Sequence, residues 1–157
     1  MDVSSVLSPE CIAFDQDLSS KDAIFDFLIG MLVRSGAVSD AAAYKEAVVK
    51  REGMAMTGLQ DGIAIPHGIS DAVVHPAIAY VRLKGTVDEW ESIDGKPIHH
   101  VFLLAIPTGS DGDKSHIKML SALATSLIKP EVIKEIEAAS SASELLGAFD
   151  ENDKANE

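Results

Sequence analysis

Positive charge is scarce in this chain. Its 157 residues hold 13 Lys and Arg against 25 Asp and Glu, a net charge of −12. Nucleic-acid backbones and anionic membrane surfaces both demand clusters of basic side chains, so neither is an expected partner. A protein partner with a basic face is steered toward such a surface, and solubility alone is served by the same acidity. Cysteine is scarcer still. Cys11 stands alone, which excludes an internal disulfide and a CxxC metal site and fits a reducing, cytoplasmic setting. No apolar run approaches the ~20 residues of a membrane-spanning helix. The opening MDVSSVLSPECIAF has no basic leader, so no secretory signal is expected. HxxxH, HxH, GxSxG and GxxxxGK[ST] are all missing. A zinc site, a serine hydrolase and a nucleotide loop therefore have little support.

What remains is 46% hydrophobic and 24% charged, a globular composition long enough to bury a real core. Residues 1–150 read as one domain and 151–157 as a disordered acidic tail. A short strand is expected near Cys11 to Phe14. Ser20 then caps a helix over 21–35, with Ile24, Leu28, Met31 and Leu32 on one face. Ser39 or Asp40 caps a second helix with Ala41, Tyr44, Ala47 and Val48 on one side and Gly53 at its stop. Arg51 falls in its last turn. Turns at Gly58 and Asp61-Gly62 bound a strand at Ile63 to Ile65. Ala77 to Leu83 is another strand, followed by turns up to Pro97. Residues 99–106, HHVFLLAI, suit a strand buried on both faces. PTGSDGDKS reads as a loop, after which Ser115 caps a helix to Ile128 with Ile117, Leu120, Ala124 and Leu127 inward. Pro130 opens a short helix, and Ser141 with Glu144 forms a capping box for the last. The expectation is an α/β fold, a layered domain with helices packed on both faces of the sheet in a three-layer sandwich.

Among five histidines, two stand out. His67 sits between Pro66 and Gly68 in GIAIPHG, after an expected strand end that faces a crevice. Pro66 holds the chain extended, and Gly68 leaves room for an anion to approach the ring. A histidine merely hydrogen-bonded at a strand end fits the same residues. His116 follows Ser115, in the expected first turn of a helix. Free N–H groups there favour anions and a neutral imidazole, although a helix start also tolerates a decorative histidine. Arg51 is either a planar fork for phosphate oxygens or a cation stabilising its helix end. His75 reads as a surface residue. His99 and His100 point to opposite faces of their strand and read as structural. Asp61, Asp94, Asp111 and Asp113 read as turn formers.

TGLQDGIAIPHG, with Arg51 before it and DGKPIHHVFLLAIPTGSDGDKSHIKMLSALA after it, resembles the enzyme IIA domain of the fructose/mannitol class. That domain belongs to the bacterial phosphoenolpyruvate:sugar phosphotransferase system, and the resemblance spans about Leu18 to Phe149. It implies a mixed sheet flanked by helices. It implies that His67 carries a phosphoryl group through Nε2, that His116 assists, and that Arg51 lies near the phosphorylated ring. It implies phosphoryl arriving from the carrier HPr and leaving to a cysteine of an enzyme IIB domain during import of a fructose-like sugar. Cys11 is not that cysteine, and neither a cofactor nor a metal is required. Gln60-Asp61 departs from the small residue or Gly-Asn often found there, and the long PTGSDGDKS segment bears on partner fit.

Transfer through an imidazole needs a neutral ring with one free lone pair, in-line geometry and stabilised equatorial oxygens. A phosphoryl group held too tightly stalls the second transfer, so an open, shallow site is expected. Two alternatives remain: a regulatory member of the nitrogen-linked branch, acting by phosphorylation-dependent protein binding, and a metal-dependent hydrolase using His67 and His116.

Overall fold

The computed structural model describes residues 3–155, apart from the side chains of 110–113, 115 and 151–155. Two short 3-10 turns, Val3–Ser5 and Pro9–Cys11, precede strand β1 (Ile12–Gln16). Helices α1 (Lys21–Arg34) and α2 (Ala41–Glu52) follow, then β2 (Ile63–Ala64), β3 (His67–Ile69), β4 (Ala77–Val87) and β5 (Ile98–Ile106). The chain closes with α3 (Ser110–Leu127), α4 (Pro130–Ala138) and α5 (Ala142–Ala155). The last helix thus extends over 151–155, where no regular structure was expected; no Gly or Pro follows Gly147 to stop it. Residues 156 and 157 lie outside the described residues.

The sheet is mixed, as anticipated. Its order is β1-β4-β5-β2, with β3 also on β5. The β4–β5 pair is antiparallel, while β1–β4, β2–β5 and β3–β5 are parallel. β4 runs past Leu83 to Val87, so turns begin later than expected. Burial on both faces holds for β5, where Val101 to Ile106 are all 0% exposed. This run is the buried centre of the sheet.

Two cores lie on opposite faces. One gathers Ile24, Leu28, Met31 and Leu32 of α1 with Tyr44 and Val48 of α2, and the other gathers Met119, Leu123 and Leu127 of α3 with Ile136 and Phe149. Ser20 and Asp40 cap α1 and α2 by accepting from the N–H groups of Ala23 and Ala43. Ala41 is exposed, so the buried stripe of α2 is narrower than expected. Ser141 accepts from Glu144 N–H, but the Glu144 carboxylate reaches Ser140 rather than closing the box on Ser141.

Two corrections concern α3. It begins at Ser110 behind Gly109, whose φ is +94°, so Ser115 is not its cap and most of PTGSDGDKS is helical. Ser and Asp are favoured both in turns and at helix starts, and composition did not separate the two. The inward stripe is Met119, Leu123 and Leu127, while Ile117 and Ala124 face solvent. Leaving His116 out of the inward stripe shifted the expected phase.

β2 and β3 are two halves of one edge strand. Ile63 pairs with His100 and His67 with Leu104, the same offset along β5. Pro66 has no N–H to offer, so the ladder breaks there without slipping. His67 therefore opens β3 rather than following a strand end.

Gly68 has a different use from the one expected. A Cβ there would lie 2.8 Å from Val48 Cγ2 and 3.1 Å from both Val48 N and Tyr44 Cε1. The space is filled by α2 and is closed to an anion. Tyr44 Oη, fully buried, donates to Leu104 O at 2.7 Å and ties the same helix to β5. Gly68→Ala is expected to lower stability by about 1–3 kcal/mol through overpacking. Chemical denaturation checks this, and an unchanged midpoint would contradict the close contact.

Candidate active site

Alternation along β3 builds the site. Gly68 faces α2, so His67 faces the other side of the sheet, toward α3. The ring of His116, in the second turn of α3, lies 5.1 Å from that of His67 between centroids. This corrects the expectation that His116 occupies the first helical turn: the free N–H groups of the helix start lie before it in the chain. Arg51 reaches the same ring from the last turn of α2, and its Nε–H donates to His67 Nε2 at 3.0 Å. Its Nη1 also donates to Ala55 O at 3.3 Å. His67, His116 and Arg51 thus come together, in a depression of about 240 Å³ that Lys50, Met54, Ile69 and Ala47 also line.

These contacts determine the protonation of His67. Nε2 accepts from Arg51, so it holds the lone pair, and Nδ1 carries the proton toward Ile65 O at 3.4 Å. Burial, with the neighbouring Arg51 cation second and His116 a smaller contributor, lowers the pKa to about 4, against a weak upward pull from the Ile65 carbonyl. His67 is only 5% exposed, less open than expected, because Arg51 covers the nitrogen that faces the depression. Among the described residues, His116 Nε2 is buried without a hydrogen-bond partner. A buried polar atom with no partner is costly, which makes it a ready contact for an incoming oxygen.

The other histidines stay apart. His75 is exposed. His99 Nδ1 lies 2.6 Å from Gly85 O, and buried His100 contacts Tyr80 Oη through Nδ1 at 2.8 Å. Burial, then His99 and Arg82, lowers the pKa of His100 to about 3. Among the described residues, no three His, Cys, Asp or Glu gather as a metal site, so the hydrolase reading finds no ligand set there. Sequence reasoning missed Tyr44, Ile65 and Lys50 as parts of the site. The spacing of Tyr44, Val48 and Arg51 on one helical face was the signal that could have joined Arg51 to the sheet.

A histidine with a depressed pKa takes up its proton at lower pH in the folded protein than in the unfolded chain. Above about pH 6.5 it costs no stability; as pH falls from there to 4 the unfolded chain gains protons first and folding weakens. In an NMR titration, the His67 ring should keep the Nδ1–H form at pH 6 and titrate near 4. In Arg51→Gln the midpoint should rise, since a cation no longer opposes protonation. A wild-type midpoint near 6.5 would overturn this electrostatic account.

Comparison with known proteins supplies a family. The model for "Phosphoenolpyruvate-dependent sugar phosphotransferase system, EIIA 2" matches residues 5–152. The chain is 35% identical over 154 residues to the fructose-specific EIIABC component of Bacillus subtilis, covering 98% of this chain and 24% of that protein. It is 34% identical over 135 residues to the fructose-specific EIIA component of Haloferax volcanii, covering 86% of each. It thus spans about a quarter of the first relative and most of the second. Among solved structures, nitrogen regulatory protein IIA-Ntr from Neisseria meningitidis is 29% identical with a TM-score of 0.82, over 92% of this chain and 97% of that one. Enzyme IIA of mannitol from Escherichia coli, solved in complex with phosphorylated enzyme IIB, shares the fold at 23% identity and a TM-score of 0.75, over 91% and 96%. Family match, fold and sequence agree: the chain belongs to the EIIA 2 family of the phosphoenolpyruvate-dependent sugar phosphotransferase system, whose members are phosphotransferase components.

Proposed function

We propose that this chain accepts a phosphoryl group on His67 Nε2 from phospho-HPr in the cytoplasm and passes it to a cysteine of an enzyme IIB domain, for uptake of a fructose-like sugar. The observation that carries this reading is the His67 ring, neutral, with its Nδ1 proton directed to Ile65 O and its Nε2 lone pair directed to Arg51.

In the first step the Nε2 lone pair attacks phosphorus. The bond from phosphorus to the donor's histidine nitrogen breaks, and its electron pair returns to that nitrogen. Arg51 leaves Nε2 and turns its donors to the phosphoryl oxygens, which His116 Nε2 contacts when it carries a proton. In the second step a thiolate attacks phosphorus, and the pair of the Nε2–P bond returns to His67. The Nδ1 proton stays in place through both steps. Catalysis here is positioning and charge stabilisation. The fructose-specific names of the two relatives support the sugar class.

The likeness to IIA-Ntr favours a second reading, a regulatory member that binds another protein according to its phosphorylation. Incubation with phosphoenolpyruvate, enzyme I and HPr, followed by intact-mass measurement and then addition of a fructose IIB domain, separates the two. Transfer to IIB supports transport; phosphorylation without transfer, joined to a phosphorylation-dependent pull-down, supports regulation.

His67→Ala is expected to take up no phosphoryl group, and stoichiometric labelling of that variant would refute the assignment. His116→Ala should be labelled yet pass phosphoryl on ~100-fold more slowly, the scale of losing one stabilising donor. Rapid-quench kinetics reads this directly, and unchanged onward transfer would remove His116 from the mechanism.

A further inference from the structure

Thr57 lies outside the depression, yet it holds both sides of it. Its hydroxyl donates to the Glu52 carboxylate, at 2.8 and 2.9 Å from the two oxygens, and accepts from Trp90 Nε1 at 3.0 Å. Glu52 is the last residue of α2, next to Arg51, and Lys21 Nζ pairs with it at 3.1 Å while lying over the Trp90 ring. On the other side, Thr57 O accepts from Ile65 N at 3.0 Å. Ile65 is the residue whose own carbonyl faces His67 Nδ1. Thr57 and Trp90 are both buried, at 3% and 2% exposure. Gly58 fixes the segment from behind: a Cβ there would lie 2.2 Å from Glu91 O.

One residue thus connects the helix end that bears Arg51 to the strand that orients His67. The two branches leave through different groups, hydroxyl and carbonyl, so they are separable by mutation. We propose that Thr57 is a positioning residue for the Arg51–His67 pair, its hydroxyl setting where the end of α2 lies relative to the edge strand. This rests on the phosphoryl-carrier reading for its consequence in transfer, but its geometric content concerns the unphosphorylated protein.

The side chain can be tested without altering the carbonyl. Thr57→Val keeps the shape and removes the donor to Glu52 and the acceptor for Trp90. Thr57→Ser keeps both. NMR of the unphosphorylated protein should show the His67 ring titrating at higher pH in Thr57→Val, because the Arg51 cation is no longer held against it, and as wild type in Thr57→Ser. Phosphoryl uptake from phospho-HPr should fall roughly 10- to 100-fold in Thr57→Val, the scale of a small misplacement of reacting groups, and recover in Thr57→Ser. Trp90 is the sole tryptophan, so its fluorescence reports whether the bond to Thr57 has been lost. If Thr57→Val does not fold, Glu52→Gln weakens the same link and should shift the His67 titration in the same direction. A folded variant with altered Trp90 emission but an unchanged His67 titration would overturn the proposal. Should wild type itself take up no phosphoryl group, the carrier reading fails, while the titration still decides the role of Thr57.

Discussion

A guanidinium hydrogen-bonded to a neutral imidazole depends on a helix being able to lie close to a strand. Arg51 reaches His67 because α2 packs against β3 at Gly68, where a side chain of any size would collide with Val48 and Tyr44. Tyr44 adds a buried hydrogen bond from α2 to the partner strand at Leu104, the residue paired with His67. Helix, edge strand and central strand are therefore located against one another at the point where chemistry is expected. Close-packed interiors transmit small displacements rather than absorbing them, so the site inherits the precision of this contact.

The electrostatics follow from that packing. Burial and the Arg51 cation both disfavour a charged ring, and together they keep His67 neutral well below ordinary histidine values. Neutrality leaves the lone pair available for attack. Low basicity also makes the nitrogen a better leaving group, which the proposed two-step transfer requires. The same arginine that depresses basicity is, in the mechanism we propose, the group that turns to the phosphoryl oxygens, so one cation would serve both the resting and the phosphorylated forms. His116 stands beyond the first turn of its helix, so in the proposed transfer anion stabilisation falls to side chains instead. A site of this kind is held in register by the residues behind it, in which Thr57, Glu52 and Trp90 share buried hydrogen bonds.

Much of the architecture was legible in the pattern of residues. The cap at Ser20, a cap at Ser39 or Asp40 that the structure places on Asp40, the doubly buried run within 99–106 and the Pro130 helix start all rest on local chemistry that a short window contains. The start of α3 was not legible, because Ser, Asp and Gly serve turns and helix starts alike. Its inward face was misjudged because a histidine stands where the stripe would carry an apolar residue. Gly68 was rightly marked as special but for the wrong neighbour: a missing side chain says that something comes close without saying what.

Taken alone, the order of residues determined a sheet covered by helices on both faces, the place of His67 beside a chain-breaking proline, and the acidic surface, since each depends on local periodicity, backbone restriction or composition. Only the tertiary structure decided that Arg51 meets Nε2, that Ile65 holds the proton on Nδ1, and that His116 faces the pair from α3. The contacts of Arg51 and His116 join segments distant along the chain, and their distances arise from how a helix, a broken edge strand and a second helix pack around Gly68.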